Sequence, residues 1–595
     1  MPTAPTLDPV QLLVMANRID GITRDMTNTI IRTTRSATLA ARDLSTSICT
    51  AQHELFVAPE GLPVHVYGSG LLCEAMADLH PNFQEGDAFL HNDPYLGNTH
   101  AADHTLLVPV FFEGEHVFTT CVKAHQADIG DSIPTTYMPK ARDVYEEGAL
   151  IFPCVKVQQD YQDVGDIIRM CMKRIRVPEI WYGDYLAMVA AARVGEQGLK
   201  DFCAKFGVET VKQFVAEWLD YQERVIDAAI RKLPAGRLHA HTTFDPFPYL
   251  PDGVPLQATI DVDPTSGHVT VDLRDNPNTT PTGLNLSRAT ATNTGISAVL
   301  AILNSLSTVD TEVKNNAGSF RRITMLLREN CVVGIPRHPT SCSMATTGIA
   351  DRVQGMIHAA FGRHADGIGL AESARGQGPY MAVVSGHDHK RDEPYMLSLF
   401  SGTAGGPGAP DTDGWLTFLM AAGAGLLYID QSEVIEQKYP IVVLEMRVRP
   451  DSEGAGRQRG APGCISVFGP LGHTMEVHYS MDGMINVPLG VQGGGPALGP
   501  AAQLIDTNGT ICDLPDIVGE QPLQAGEHIV SLSAGGGGYG DPHDRDPHTV
   551  LADVIEGYIS LTRAKDVYGV ALTGDSAKVE TLAIDEAATA NLRSG

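Results

Sequence analysis

Three glycine-rich runs constrain this chain more than any other feature: GTAGGPGAP at 402–410, VQGGGPALGP at 491–500 and SAGGGGYGDP at 533–542. Glycine costs a helix interior about 1 kcal/mol per residue and proline about 3, so no helix is expected to cross these runs. The segments between them, IVVLEMRVRP, GCISVFGP and HTMEVHYSM, read as strands. Residues 401–595 are therefore expected to form a β-rich region with glycine turns, closed by a short helix over His548–Leu561. The last run spells GxGxxG across Gly535–Gly540, but Asp541-Pro542 follows at once. No helix opens there to offer its N-terminus to a phosphate, and no phosphate loop ending in Gly-Lys-Ser or Gly-Lys-Thr occurs elsewhere. The run reads as a tight, close-packed turn, and nucleotide binding is not expected of this chain.

Upstream the texture changes. Leu12, Leu13, Met15, Ala16, Ile19, Ile22, Met26, Ile30 and Ile31 recur at helical spacing behind an Asp8-Pro9 start, which predicts one long helix over 6–40. Strand-like pieces follow (STSICTA, HELFVA), then a short helix around Leu71–Leu79 and three further strands, DAFLHNDP, HTLLVPVFF and HVFTTCVKAH. Helical periodicity returns from Val164 to Arg231, with Tyr185–Phe206 and Val211–Arg231 as its clearest parts. Alternation over 237–275 predicts an antiparallel sheet, followed by a helix at Ala289–Leu306. The fold class expected is α+β, a multi-layer mixed fold. Its regions are a helix-plus-sheet part at 1–160, helical hairpins at 161–235, an α+β part at 236–400 and the β-rich part at 401–595.

Acidic residues outnumber basic ones 71 to 43, a field that repels phosphate backbones and anionic lipids, so no nucleic-acid or membrane partner is expected. The most apolar stretch, Ile296–Leu306, is about half of what a bilayer span requires. The N-terminal segment lacks the basic region and continuous apolar core of a secretory signal and reads as mature sequence, which implies a cytoplasmic protein. The ten cysteines stand singly, with no CxxC pair. They read as reduced, buried small hydrophobes.

Chemistry concentrates in Asn92–His104. His100 and Asp103 lie three residues apart, and His125 stands about one hairpin further on, in Lys123–Asp128. Strand pairing can bring the second imidazole beside the first pair. Two imidazoles and one carboxylate suit a borderline divalent ion, Zn²⁺, Mn²⁺ or Fe²⁺, and three protein ligands leave positions open for substrate or water. Asp43 reads either as a further ligand or as a partner holding a ligand histidine, and alternatively as an ion pair with Arg42 or a helix-end cap. His104 and Asp128 are candidates for the same supporting role. No nucleophile elbow is present, and Ser341 and Ser343 have no base nearby in sequence.

Taken in order, DPVQLLVMANRI, ARDLSTSI, LHNDPYLGNTHAADHTLLVPVF, KAHQADIG, VYEEGALIFP, NNAGSFRRI, KYPIVVLEMRVRPDSEGAGRQRG and GGGGYGDP followed by VLADVIEGYIS resemble the hydantoinase B/oxoprolinase family nearly end to end. The resemblance implies a subunit that works with a hydantoinase A-type ATPase, which binds ATP and phosphorylates the carbonyl oxygen of a cyclic amide or ketone. It implies that His100, Asp103 and His125 hold the metal, and that the assembly is a heterotetramer or larger. The substrate expected is a hydantoin, oxoproline or lactam ring, opened at the expense of ATP. The alternative is ketone carboxylation. Asp128 or His104 is expected to transfer the proton. Where the family commonly carries a second histidine and a second glycine, this chain has Gln126 and Asn98.

Overall fold

A computed structural model of the chain describes residues 7–305, 314–375 and 377–594. The chain forms two compact units, one of residues 1–237 and 259–350, the other of 238–258 and 351–595. The regions expected at 1–160 and 161–235 fall in the first unit, 401–595 falls in the second, and 236–400 is divided between them.

The first unit begins with α1 (Pro9–Thr33) and the single turn α2 (Ala37–Ala40), then β1 (Leu44–Thr50), β2 (Leu55–Val57), α3 (Pro63–Val66), α4 (Ser69–Leu79), β3 (Ala88–His91), β4 (Asp103–Phe112) and β5 (Glu115–His125). After α5 (Val144–Glu147), β6 (Val155–Gln159), β7 (Gln162–Asp163) and α6 (Gly165–Arg174) come two long helices, α7 (Pro178–Phe206) and α8 (Val208–Ile230). Seven strands form one sheet in the order β2-β1-β5-β4-β3-β6-β7, every pair antiparallel.

Asp8 caps α1 by accepting from the backbone N–H groups of Val10 and Gln11, and Pro9 sits where its missing N–H costs nothing. The helix buries Met15, Ile19, Met26 and Ile30. It does not continue to residue 40 as expected, because the buried carboxylate of Asp184 on α7 draws in three donors. The Thr34 hydroxyl and the N–H of Arg35 both donate to it at 2.7 Å, and the N–H of Ser36 at 3.2 Å. Those bonds turn the chain out of the helix and aim it at β1.

Alternation along the strands gives the sheet two differently covered faces. Even-numbered side chains of β1, β4 and β5 meet α1 and α7: Thr46 bonds Thr27, Thr120 donates to the Ala192 carbonyl, and Trp181 donates to His104. Odd-numbered side chains meet α3 and α4.

β8 (Gly236–Phe244) and β9 (Val254–Asp263) carry the chain on to β10 (His268–Asp272), α9 (Arg288–Ser305), α10 (Ala317–Phe320) and β11 (Ile323–Leu326). β9 and β10 pair antiparallel, as the alternation predicts, whereas β11 joins β10 in parallel. The helix expected to end at Leu306 is described to Ser305, and Leu306 lies outside the described residues.

The second unit holds α11 (Ile349–His364) almost entirely, and two sheets. β12 (Met381–Asp388), β13 (Glu393–Phe400), β16 (Met475–Ser480) and β19 (Val518–Leu523) form one; β14 (Ile441–Val448), β15 (Cys464–Pro470), β17 (Ala501–Ile505), β18 (Ile511–Leu514) and β20 (His528–Leu532) form the other. The run Gly535–Gly538 is not the tight turn the sequence suggests. It runs between other backbone segments, with Gly405 N–H donating to the Ala534 carbonyl, Gly454 N–H to Gly536 and Gly538 N–H to Gly495. A Cβ on Gly536 would stand 1.9 Å from the Gly406 carbonyl oxygen, so close approach of main chain to main chain is what demands glycine there. The expected closing helix breaks into α13 (Pro547–Ile555) and α14 (Leu561–Asp566), and the chain goes on past α12 (Ser432–Lys438) and these helices through a two-stranded pairing of β21 (Leu572–Thr573) with β22 (Ala583–Ile584) to α15 (Glu586–Arg593). Among the described residues no helix is long and apolar enough to cross a membrane.

Candidate metal centre

Two strand ends and one loop build the site. Asp103, the first residue of β4, pairs directly with His125, the last of β5. The backbone N–H of His125 donates to the Asp43 carbonyl at 3.1 Å, which sets Asp43 just ahead of β1 on the same face. The loop before β4 is shaped by Asn98. Its amide donates to the carbonyls of His100 (2.7 Å) and Asp103 (2.9 Å), and its oxygen accepts from Thr105 and from the Lys123 ammonium at 2.7 Å. Asn98 is therefore the template of the loop. The left-handed turn needed nearby falls at Gly97, φ 101°, where a Cβ would meet Leu71 at 2.6 Å.

His100 Nε2 lies 3.0 Å from Asp103 Oδ1, His125 Nδ1 lies 3.3 Å from the same oxygen, and the ligand atoms of the three residues fall within 4.8 Å of one another. All three side chains are buried. The far side of each imidazole is tethered, His100 Nδ1 at 2.8 Å from the Ser343 carbonyl and His125 Nε2 at 3.1 Å from the Thr136 hydroxyl. Such tethers fix the ring and turn the remaining nitrogen inward, the arrangement that metal-binding histidines show. Tyr137 stacks on both rings, at 5.6 and 5.2 Å between centroids.

Asp103 is further held by the Thr99 hydroxyl at 2.5 Å. Burial works to raise its carboxyl, yet the neighbouring charges of His100 and His65 and the bond from His125 hold it well below the usual carboxylate range. Burial likewise pushes His100 down, and the Asp103 charge more than reverses it, so the imidazole titrates above its ordinary value. Asp43 goes the other way: burial raises its carboxyl, only partly offset by His125 and His65.

Of the residues singled out from the sequence, His100, Asp103, His125 and Asp43 converge, with Asp43 Oδ2 at 4.0 Å from His125 Nδ1. His104 and Asp128 do not. His104 follows Asp103 in β4, so alternation sends it through to the other face, against Trp181 and Phe152, where burial drives its pKa down to about 3. Asp128 is engaged by Arg176, whose guanidinium approaches to 3.0 Å, and by the N–H of Gly130. Gln126 also faces away, its amide donating to the Ala124 carbonyl. The residue that sequence reasoning missed is His65, whose Nε2 stands 3.4 Å from Asp103 Oδ2 and 3.7 Å from Asp43 Oδ1 while Nδ1 meets Ser45 at 3.2 Å. A lone histidine in PVHV carries no spacing signal, and only the packing of α3 on β1 reveals it.

The profile of the hydantoinase B/oxoprolinase family matches residues 8–542. The chain belongs to this family. It is 28% identical to the caprolactamase subunit beta of Pseudomonas jessenii, an alignment that covers 98% of each chain. The crystal structure of the ATP-dependent caprolactamase from that organism superposes with a TM-score of 0.86 at 25% identity, over 99% of this chain and 100% of the other. A nucleotide-free acetone carboxylase structure gives the same TM-score at 18% identity, over 99% of this chain and 82% of that one, a likeness of fold. The expected α+β class of this hydantoinase B/oxoprolinase member is thus found in both structures.

Proposed function

We propose that this chain is the B-type subunit of an ATP-dependent cyclic amidohydrolase, acting with a hydantoinase A-type subunit that binds ATP and phosphorylates the ring carbonyl. The observation that carries this reading is the buried convergence of His100, Asp103 and His125, in a chain that matches a caprolactamase beta subunit over nearly its full length. The donor set fits a divalent ion. Two imidazole nitrogens and an ionised carboxylate point at one spot, and buried His100 Nε2 makes no hydrogen bond of its own there. Zn²⁺, Mn²⁺ or Fe²⁺ held by these three residues, with Asp43 beside them, would supply Lewis acidity and lower the pKa of water.

The chain's own groups have separable roles. Asp103 stays ionised and orients His100 and His125, whose outer nitrogens are tied to Ser343 and Thr136. Asp43, a buried carboxylate beside the ligand set at 4.0 Å from His125 Nδ1, is the group we assign to take the proton released when water attacks the activated carbon. His65, between both carboxylates, keeps them apart and oriented. An amide is a poor electrophile; phosphorylation of its oxygen opens the ring carbon to addition of water. The adduct collapses by breaking the ring C–N bond with a proton going to the nitrogen, and the acyl phosphate so formed loses phosphate to a second water. The reading includes a hetero-oligomer, a heterotetramer or larger.

The test is metal analysis of the complex purified with its partner, wild type against His100→Ala and Asp103→Ala, with ATP-dependent turnover of lactam, hydantoin, oxoproline and ketone substrates. Loss of metal and of bicarbonate-independent ring opening in both variants, with the complex intact, is expected. Unchanged metal content would sink the site. Strict incorporation of bicarbonate into product would hand the case to ketone carboxylation.

A further inference from the structure

The sheet face that carries the His/Asp centre continues along the strands as a ladder of odd-numbered residues. From the residue before β1 and along that strand it runs Asp43, Ser45, Ser47, Cys49; on β5 it runs His125, Lys123, Cys121; on β4, Asp103, Thr105, Leu107. The register sets Ser45 and Thr105 beside Lys123, and Ser47 and Leu107 beside Cys121. The helices above match these rungs at four-residue spacing. His65 meets Ser45, Ser69 meets Ser47 at 3.2 Å, and Cys73 meets Cys121 with 3.6 Å between sulfurs. Polar chemistry at one end of the face therefore gives way to thiols at the other, four strand residues and about 13 Å away.

We propose that Cys49, Cys73 and Cys121 form a second metal site, for a thiophilic d¹⁰ divalent cation of the Zn²⁺ class, distinct from the His100/Asp103/His125 centre. The three sulfurs come from β1, α4 and β5 and lie within 4.8 Å of one another, with every side chain buried. An ion bound by thiolates at about 2.3 Å places its sulfurs about 3.8–4.0 Å apart, whether trigonal or tetrahedral. The thiols thus already stand close to the spacing of a loaded site. A disulfide would have to close the 3.6 Å gap between Cys73 and Cys121 to about 2.05 Å and would leave Cys49 unused.

Charge favours a divalent ion over a monovalent one. Three thiolates around a 2+ ion leave one negative charge in an apolar setting that includes Leu55, Leu72, Met76, Phe89 and Leu107. The Lys123 ammonium, two residues along β5 on the same face, can balance it; its Nζ donates to Asn98 at 2.7 Å and Thr99 at 3.2 Å. Lys123 also stands between the two clusters, so a cation in each would be separated by a positive side chain. The donor types sort the ions as well. A thiolate-only set rejects Mn²⁺, whereas the imidazole-carboxylate set accepts it.

The test uses the full-length chain, stripped of metal under reducing conditions and reloaded with Co²⁺ or Zn²⁺. Sulfur-to-cobalt charge-transfer absorption in the near ultraviolet is expected in wild type, retained in His100→Ala and lost in Cys73→Ser and Cys49→Ala. X-ray absorption of Zn-loaded wild type should show a sulfur shell, a readout that needs no variant to fold. Wild-type protein with reduced thiols but neither thiolate absorption nor a sulfur shell would overturn the proposal. So would a thiolate signal that survives Cys73→Ser in a variant with unchanged circular dichroism and melting, or a native Cys73–Cys121 disulfide found by mass analysis.

Discussion

Replacing His65 by alanine removes an imidazole that touches no other part of the centre except its carboxylates. Nε2 stands 3.4 Å from Asp103 and 3.7 Å from Asp43, and Nδ1 is anchored on Ser45. Without it the two buried carboxylates lose the group between them, and Asp103 keeps His100, His125 and Thr99 as its orienting partners. Loss of such an outer partner weakens metal binding about 10–100-fold, or about 1.4–2.7 kcal/mol. The fold should also lose about 1–3 kcal/mol for the buried contacts left unmade. If His65 is itself a ligand, the loss of affinity should exceed about 100-fold. The assay is competition for the ion against a chelator of known affinity, with wild type, His65→Ala and His65→Gln compared at one pH. His65→Gln, which restores one donor toward Asp103, should recover part of the affinity. Binding by His65→Ala within about threefold of wild type, with melting unchanged, would refute the assignment.

Asp184→Ala should lower the stability of the chain by about 2–4 kcal/mol in denaturant unfolding and expose Thr34–Ser36 to hydrogen exchange, because three donors lose their common acceptor. His104→Phe should leave metal content unchanged, since the ring lies on the opposite face of the sheet, whereas Asp128→Asn should cost about 1–2 kcal/mol of stability by weakening the hold on Arg176, again without loss of metal. Asp351 gives a pH prediction. Burial raises its carboxyl to about 7, above the unfolded value of about 3.9, so the folded chain binds the proton more tightly and stability rises as pH falls from about 7 towards 4. Asp351→Asn, which keeps the acceptor for the Ala422 N–H, should flatten that part of the stability profile measured by denaturant melts between pH 5 and 8.

Helical spacing and strand alternation located most elements of the first unit, since α1, α4, α7, α8, β4 and β5 each carry a local pattern. The bounds failed where a distant group decided them. Asp184 ends α1, and at Gly535–Gly538 close packing of backbone on backbone takes the place of the expected glycine turn. The same distinction holds at the centre. His100 and Asp103 were legible because one short loop holds both, and His125 because a hairpin follows. Asp128 and His104 were equally close in sequence but are separated by alternation and by Arg176.

Local pattern thus settles which residues carry donor atoms and roughly where they lie: Asp43 on the approach to β1, Asp103 at the end of the loop before a strand, His125 at the end of β5, and ten cysteines standing singly. Which of them meet is set by pairing and packing. Antiparallel register placed Asp103 opposite His125 and set Cys121 beside Ser47, and the packing of α3 and α4 on that one face brought His65 to the carboxylates and Cys73 to the thiols. A strand fixes only the side on which a side chain stands, whereas neighbours come from contacts across tens of residues, which no local spacing records.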